Sequence, residues 1–144
     1  MLKKLLNWAL KKKASDEGLT LIELLAVIVI LAIIAAIAIP IILISVNNAK
    51  INTTEQDLNI IADALNRYYL DTGSYPTQAS GNISGVASDL SPKYLAGIPQ
   101  DGWGNSFNYS SSGTNYTVST SVAENSLYYY VSNSSSVTYA STAP

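Results

Sequence analysis

The stretch from Gly18 to Pro40 constrains this chain more than any other. It reads Gly18-Leu19-Thr20-Leu21-Ile22-Glu23, then Leu24 to Ile39 without one charged or strongly polar side chain, then Pro40. From Leu24 to Ile44 there are 21 uncharged residues, apolar except for the proline. As a helix that run spans roughly 32 Å, about the thickness of a bilayer's hydrocarbon core. A single acid, Glu23, stands at its start. A carboxylate near hydrocarbon costs on the order of 2.5–3.5 kcal/mol, less if it stays near the interface. Its presence there asks for a function.

The flanks of this run are asymmetric. The net charge of −2 conceals five basic residues before Gly18, at Lys3, Lys4, Lys11, Lys12 and Lys13. After Gly18 only Lys50, Arg67 and Lys93 remain, against eight acids, a side-chain charge of −5. The lysines should hold residues 1–18 in the cytoplasm and direct the remainder outward. A secretory signal has its cut site after the apolar run. Here the cut-like glycine precedes it, so the apolar segment would be retained. The expected domains are a basic leader over 1–18, a transmembrane or assembly half-helix over 19–46, and a globular head over 47–144.

Pro40 has no amide hydrogen and its ring crowds the preceding turn, so the helix should kink or open near Ala36 to Pro40. Beyond it the pattern becomes one-sided. Ile51, Thr54, Leu58, Ile61, Ala62, Leu65 and Tyr69 fall at helical spacing, with Glu55, Asn59, Asp63 and Arg67 on another line. Asp63 and Arg67 have the acid-then-base order that favours a surface pair. Gly73 fits as the left-handed stop. Residues 71–105 read as a loop region. Within it Asp101-Gly102-Trp103-Gly104-Asn105 makes a tight turn pair with an aromatic anchor at Trp103. Short runs rich in Tyr, Val and Thr follow at Ser106–Ser110, Tyr116–Val122, Leu127–Ser132 and Val137–Ala140. The expected fold is α+β: a long bent N-terminal helix packed on an antiparallel meander of three or four strands. The tyrosines read as packing rather than as a binding or electron-carrying row.

These features resemble the type IV pilin and type II secretion major pseudopilin family. The resemblance rests on Gly18-Leu19-Thr20-Leu21-Ile22-Glu23 before an apolar helix, with Glu23 fifth and Pro40 twenty-second after the glycine. The pattern Asp71-Thr72-Gly73-Ser74-Tyr75-Pro76 and the Asp101–Asn105 turn extend it. Leu19 departs from the commoner Phe or Met, and Gly102 stands where that family more often has proline. The resemblance implies cleavage between Gly18 and Leu19 by a prepilin peptidase and N-methylation of Leu19. It also implies that Thr20 and Glu23 serve assembly, Glu23 meeting the new amine, on an inner-membrane assembly platform. The implied partner is the chain itself, in a helical homopolymer.

No histidine or cysteine is present, so Ser-His and Cys-His nucleophilic devices and the usual zinc ligands are excluded. Asp89, Asp101 and Glu124 show no spacing that pairs an acid with a base. The expectation is a structural subunit and not an enzyme. The acidic head argues against binding nucleic acid through a bulk positive patch. Gly102-x-Gly104 lacks the strand-then-helix frame of a nucleotide loop. Five Asn-x-Ser/Thr sequons, at Asn52, Asn82, Asn108, Asn115 and Asn133, match what an Asn- and Ser-rich chain contains by chance, with glycosylation left open. Major pseudopilins generally hold a calcium ion between their C-terminal strands. The corresponding stretch here, Ser119 to Ser126, offers Glu124 alone, with Asp101 the other nearby acid. No cofactor and no calcium requirement are therefore expected. On that ground the first expectation is a surface pilus for adhesion, motility or DNA uptake. The precursor would be a single-pass membrane protein and the product an extracellular filament. A periplasmic secretion pseudopilus and a monomeric anchored binding domain are the alternatives.

Overall fold

The computed structural model describes residues 20–124, 126–133 and 136–144. The expected leader and the Gly18–Leu19 cut lie outside the described residues. Helix α1 runs Leu21–Thr72 with Pro40 inside it. Strand β1 (Gln78–Asn82) follows, then a 3-10 turn (Ile83–Val86) and a one-turn helix, α2 (Ala87–Leu90). Strands β2 (Phe107–Ser111), β3 (Tyr116–Thr120), β4 (Tyr128–Ser132) and β5 (Thr138–Ala140) complete the chain. It divides into two units, residues 1–44 and 45–144.

In the first unit α1 carries an apolar surface with almost no protein cover. Leu21, Ile22, Leu24, Leu25 and Val27 through Leu31 are all exposed, and the pattern continues to Ile44. The segment is long and apolar enough to cross a membrane. In water this surface would cost about 25 cal/mol for each Å² exposed. In lipid it costs nothing of the kind. The backbone stays helical through Ala36–Pro40 in the single chain. Pro40 still withholds the N–H that the Ala36 carbonyl would receive in an unbroken ladder.

In the second unit α1 turns one face to a core. Thr54, Leu58, Ile61, Ala62, Ala64 and Leu65 are buried, and Ile51 and Tyr68 pack partly against them. Tyr69 instead sits at the rim, stacked on Tyr75 with ring centroids 4.7 Å apart. Gly73 ends the helix at φ +81°, and its N–H donates to the Tyr69 carbonyl at 2.8 Å. That is the left-handed stop glycine tolerates best. The Lys93 ammonium and the Tyr94 hydroxyl both donate to Asp71 Oδ2, at 2.7 and 2.9 Å, tying the following loop to the last turn. Both partners are exposed, so this tie adds little stability.

The sheet is an antiparallel meander in the order β1-β2-β3-β4-β5. Its inner face carries Phe107, Tyr109, Tyr116, Val118, Tyr129 and Val131 against the helix. Asn108, Ser110 and Thr117 alternate to the other side, the one-faced pattern of a half-solvated sheet. The expected meander has three or four strands with residues 71–105 as loop; β1 lies inside that region and makes a fifth strand. Gln-Ala-Ser-Gly-Asn has neither β-branched nor aromatic residues, so its strand state comes from pairing with β2. Three residues of the next stretch, Ile83, Val86 and Leu90, enter the core. Their three- and four-residue spacing is the helical signal that the surrounding Ser and Gly obscure.

The tyrosines pack. Tyr75 meets Tyr116 edge-on at 4.7 Å, and Tyr68 meets Tyr94 at 5.5 Å. Two of their hydroxyls differ sharply. Tyr109 donates to the Pro76 carbonyl at 2.8 Å. The buried Tyr116 hydroxyl meets no protein hydrogen-bond partner among the described residues, and burial pushes its pKa up to about 12. Tyr116→Phe should therefore leave stability unchanged or raise it by up to about 1 kcal/mol, whereas Tyr109→Phe should lower it by about 1 kcal/mol. Thermal unfolding of the two variants side by side checks the contrast; equal losses would show that both hydroxyls are bonded.

Candidate functional site

Two constellations carry the residues singled out from the sequence, one in each unit. The first is the start of α1. Thr20 precedes the first helical residue, and its carbonyl accepts from the Leu24 N–H at 3.1 Å. Its N–H and its hydroxyl both donate to Glu23 Oε2, at 2.8 and 2.9 Å. In return the Glu23 N–H donates to Thr20 Oγ1 at 3.3 Å. This is a reciprocal capping box, satisfying donors that a helix start leaves open. The signal was legible as the spacing Thr20-x-x-Glu23. The carboxylate also lies at the positive end of its own helix. Among the described residues the carboxylate's partners come from Thr20, and both donate to Oε2.

The second is the turn at Asp101. Asp101 is 4% exposed, and its carboxylate is fully engaged. Oδ1 accepts the N–H groups of Trp103 (3.0 Å) and Asn105 (2.7 Å). Oδ2 accepts from Asn105 Nδ2 at 3.2 Å. The backbone closes the same turn, Asp101 N–H to the Asn105 carbonyl and Gly104 N–H to the Asp101 carbonyl, both at 2.9 Å. Gly104 supplies the positive φ of +87°. The expected turn of Asp101, Trp103 and Asn105 is thus a single hydrogen-bonded unit.

What the sequence reading missed is where this turn docks. The Gly102 N–H donates to Thr54 Oγ1 at 2.9 Å, and that hydroxyl donates to the Lys50 carbonyl at 2.9 Å. Thr54 therefore occupies a fully buried position in the apolar stripe with its hydroxyl bonded on both sides. The Lys50 ammonium lies 5.7 Å from the Trp103 ring centroid, a cation–π arrangement. Gly102 sits directly on the helix backbone, where a Cβ would come within 2.3 Å of the Lys50 carbonyl oxygen. A threonine inside an otherwise apolar helical stripe was the available clue.

Asn105 also reaches Glu124 Oε1 with Nδ2, at 3.4 Å. Burial and the nearby Asp101 push the Glu124 carboxyl up from its ordinary range. Calcium takes six to eight oxygens, and tight sites gather carboxylates. Here the amide nitrogen of Asn105 stands between Asp101 and Glu124, and Asp101 already serves three donors. No cluster of three or more metal-ligating side chains occurs among the described residues.

Comparison with known proteins places these features in a family. The model of type II secretion system protein G matches residues 42–125, and the prokaryotic N-terminal methylation motif matches residues 13–39. A type II secretion system core protein G of Pseudomonas aeruginosa is 34% identical over 72% of this chain and 79% of its own length. Its counterpart in Vibrio cholerae is 32% identical over 76% and 80%. That of Escherichia coli K12 is 30% identical over 66% and 73%. No solved structure matches the chain. With a capped apolar helix, a pilin-type head and a family match over more than half its length, the chain belongs to the type II secretion system protein G family.

Proposed function

We propose that the chain is the major pseudopilin of a type II secretion system, a non-catalytic subunit that polymerises into a periplasmic filament. The single observation carrying this reading is the protein G match across the head, residues 42–125. It moves the weight from a surface pilus, the first expectation from sequence, to the secretion alternative. The exposed apolar half of α1 supports a stored membrane form. Extracted into a filament, that half exchanges lipid for neighbouring helices. The two surroundings are similarly apolar, so close packing and polar contacts must tip the balance. The direct test is deletion of the gene in its host. Loss of protein export with surface adhesion and motility intact supports the secretion reading; the reverse pattern returns the surface pilus to first place.

Processing and assembly chemistry belong to the same proposal. Cleavage between Gly18 and Leu19, with methylation of Leu19, places a positive amine one residue before the Thr20–Glu23 box. Glu23 Oε1 would receive that amine, from its own subunit or a neighbour, since a buried amine and a buried carboxylate each need a partner. Glu23→Ala should still insert and be cut but should build no filaments. A filament map of the wild type should place Glu23 beside an amine and show residues 36–40 extended. Normal filaments from the variant, or an unbroken helix through Pro40 in that map, would refute these roles.

Calcium independence is the remaining part. Thermal unfolding in excess chelator and then in millimolar calcium should give the same midpoint. Binding at a hundred times its dissociation constant would add roughly 2.7 kcal/mol, seen as several degrees. A shift of that size, lost on Glu124→Ala, would establish a calcium site.

A further inference from the structure

The outer face of the sheet carries chemistry that the filament reading leaves unused. From Phe107 to Pro144 the one charged side chain is Glu124, although solvated surfaces ordinarily mix charges of both signs. Hydroxyls and amides stand in rows instead. Asn108, Ser119, Tyr130 and Thr138 are register partners across β2, β3, β4 and β5, and Ser110 partners Thr117 in the next row. Neighbouring strands set the members of a row about 4.8 Å apart. Two hollows open on this face and share Ser110 and Thr117. The larger, about 360 Å³, extends towards Ala79, Ser112 and Asn115. The smaller, about 170 Å³, reaches Ser80, Asn108 and Ser119, with Ala143 and Pro144 along one side. Ser119 is 7% exposed, and its hydroxyl meets no protein hydrogen-bond partner among the described residues. The side chains of Asn108, Ser110 and Thr117 are likewise unpaired among the described residues. A buried hydroxyl is ordinarily paired, so an unpaired one lining a hollow marks a place for a ligand's hydrogen-bonding group.

We propose that this face binds a neutral glycan, whose hydroxyls exchange hydrogen bonds with Asn108, Ser110, Thr117 and Ser119. Serine and threonine hydroxyls and the asparagine amide each both donate and accept. That suits the hydroxyls of a sugar, which also do both. No charged side chain lines either hollow, so a phosphate, a nucleic acid or a metal ion finds no counter-charge there. A peptide would pair through its backbone at a sheet edge or seat apolar side chains in pockets, and this face offers neither. Tyr130 adds the remaining element. It is half-buried, alternates with the inward Tyr129 and Val131, and stands opposite Ser119 in the adjoining strand. Its ring is an apolar body with a polar tip, against which the C–H face of a sugar ring packs. The site lies wholly in the second unit and is complete in a single chain, so it stands apart from the filament reading.

The test uses the full chain in a zwitterionic detergent, since detergents with sugar headgroups would compete. Cellohexaose and chitohexaose are titrated against it by saturation-transfer NMR, beside a glycine–serine hexapeptide. At least one of the sugars should bind, with a dissociation constant on the order of 1 mM. Thr117→Val, Ser119→Ala and Asn108→Ala should each weaken that binding about tenfold. These side chains have no protein partner among the described residues, so the melting midpoints should stay at the wild-type value or rise. Asn108 is exposed, which keeps one variant readable even if the two in β3 melt early. Failure of the wild type to bind either sugar would overturn the proposal. Binding that survives all three substitutions would overturn the placement on this face. Equal binding of the hexapeptide would overturn the choice of a glycan.

Discussion

Replacing Asp101 by alanine should cost the head about 3–5 kcal/mol. The side chain is nearly inaccessible and accepts two backbone N–H groups and one amide N–H. Alanine leaves the two half-buried backbone N–H groups without this acceptor, each costing about 1–3 kcal/mol, and leaves Asn105 Nδ2 only its longer bond to Glu124. The turn also holds Trp103 against Lys50 and presents Gly102 to Thr54, so its loss should propagate to the helix. The expected readout is a midpoint lower by roughly 10 °C or more in thermal unfolding of the detergent-solubilised chain. The fluorescence of Trp103 should shift to the red in the folded state as the ring loses its docking place. Asp101→Asn keeps an oxygen for both backbone donors but sets one amide against another at Asn105, and should lose about 1–2 kcal/mol. Equal effects of the two substitutions would mean that the charge, and not the hydrogen-bond geometry, holds the turn.

Replacing Gly102 by alanine should be comparably damaging for a different reason. A Cβ there would lie 2.3 Å from the Lys50 carbonyl oxygen and 2.7 Å from its carbonyl carbon. Those are backbone atoms of a helix and cannot rotate aside. The turn and the helix must separate, which breaks the Gly102–Thr54 hydrogen bond and opens the core above it. A loss of about 2–4 kcal/mol is expected, at the high end of what overpacking produces. Thr54→Val is the companion variant: it keeps the shape but removes the acceptor for Gly102, and should cost about 1–3 kcal/mol. The contrast with Gly97, where an added Cβ meets nothing within 4 Å, supplies the control. Gly97→Ala should change the melting midpoint little. If Gly102→Ala melts like Gly97→Ala, the turn does not sit on the helix as described.

These two variants mark the border of what the sequence makes legible. The apolar run, the amphipathic continuation to Gly73 and four strands each announce themselves through period, length or turn chemistry. So does the Asp101–Asn105 turn, because Asp, Gly and Asn at those spacings have few other uses. Strand β1 was hidden because Gln-Ala-Ser-Gly-Asn has no preference of its own; only the neighbouring β2 makes it a strand. The docking of Gly102 on Lys50 joins residues far apart in sequence, and no local pattern encodes that distance. The Thr20–Glu23 box lies between these cases. Its spacing is plain in the sequence, but the same acid at an apolar helix start also fits a role between subunits, and spacing alone does not separate the two. The expected cleavage residues Gly18 and Leu19 rest on the motif alone, which matches residues 13–39.

The outermost strands bear on how such a molecule tolerates crowding. Under the proposed filament reading, subunits held in one membrane and then packed in one filament would bring many identical sheets close together. An open edge with its row of unpaired backbone groups invites a neighbour's strand, the first step of cross-β aggregation. Here one edge, β5, is only three residues long. The other, β1, breaks its register between Gln78 and Gly81. Neither offers a long flat template. The heads can therefore stand close, as the proposed filament requires, without their sheets fusing edge to edge.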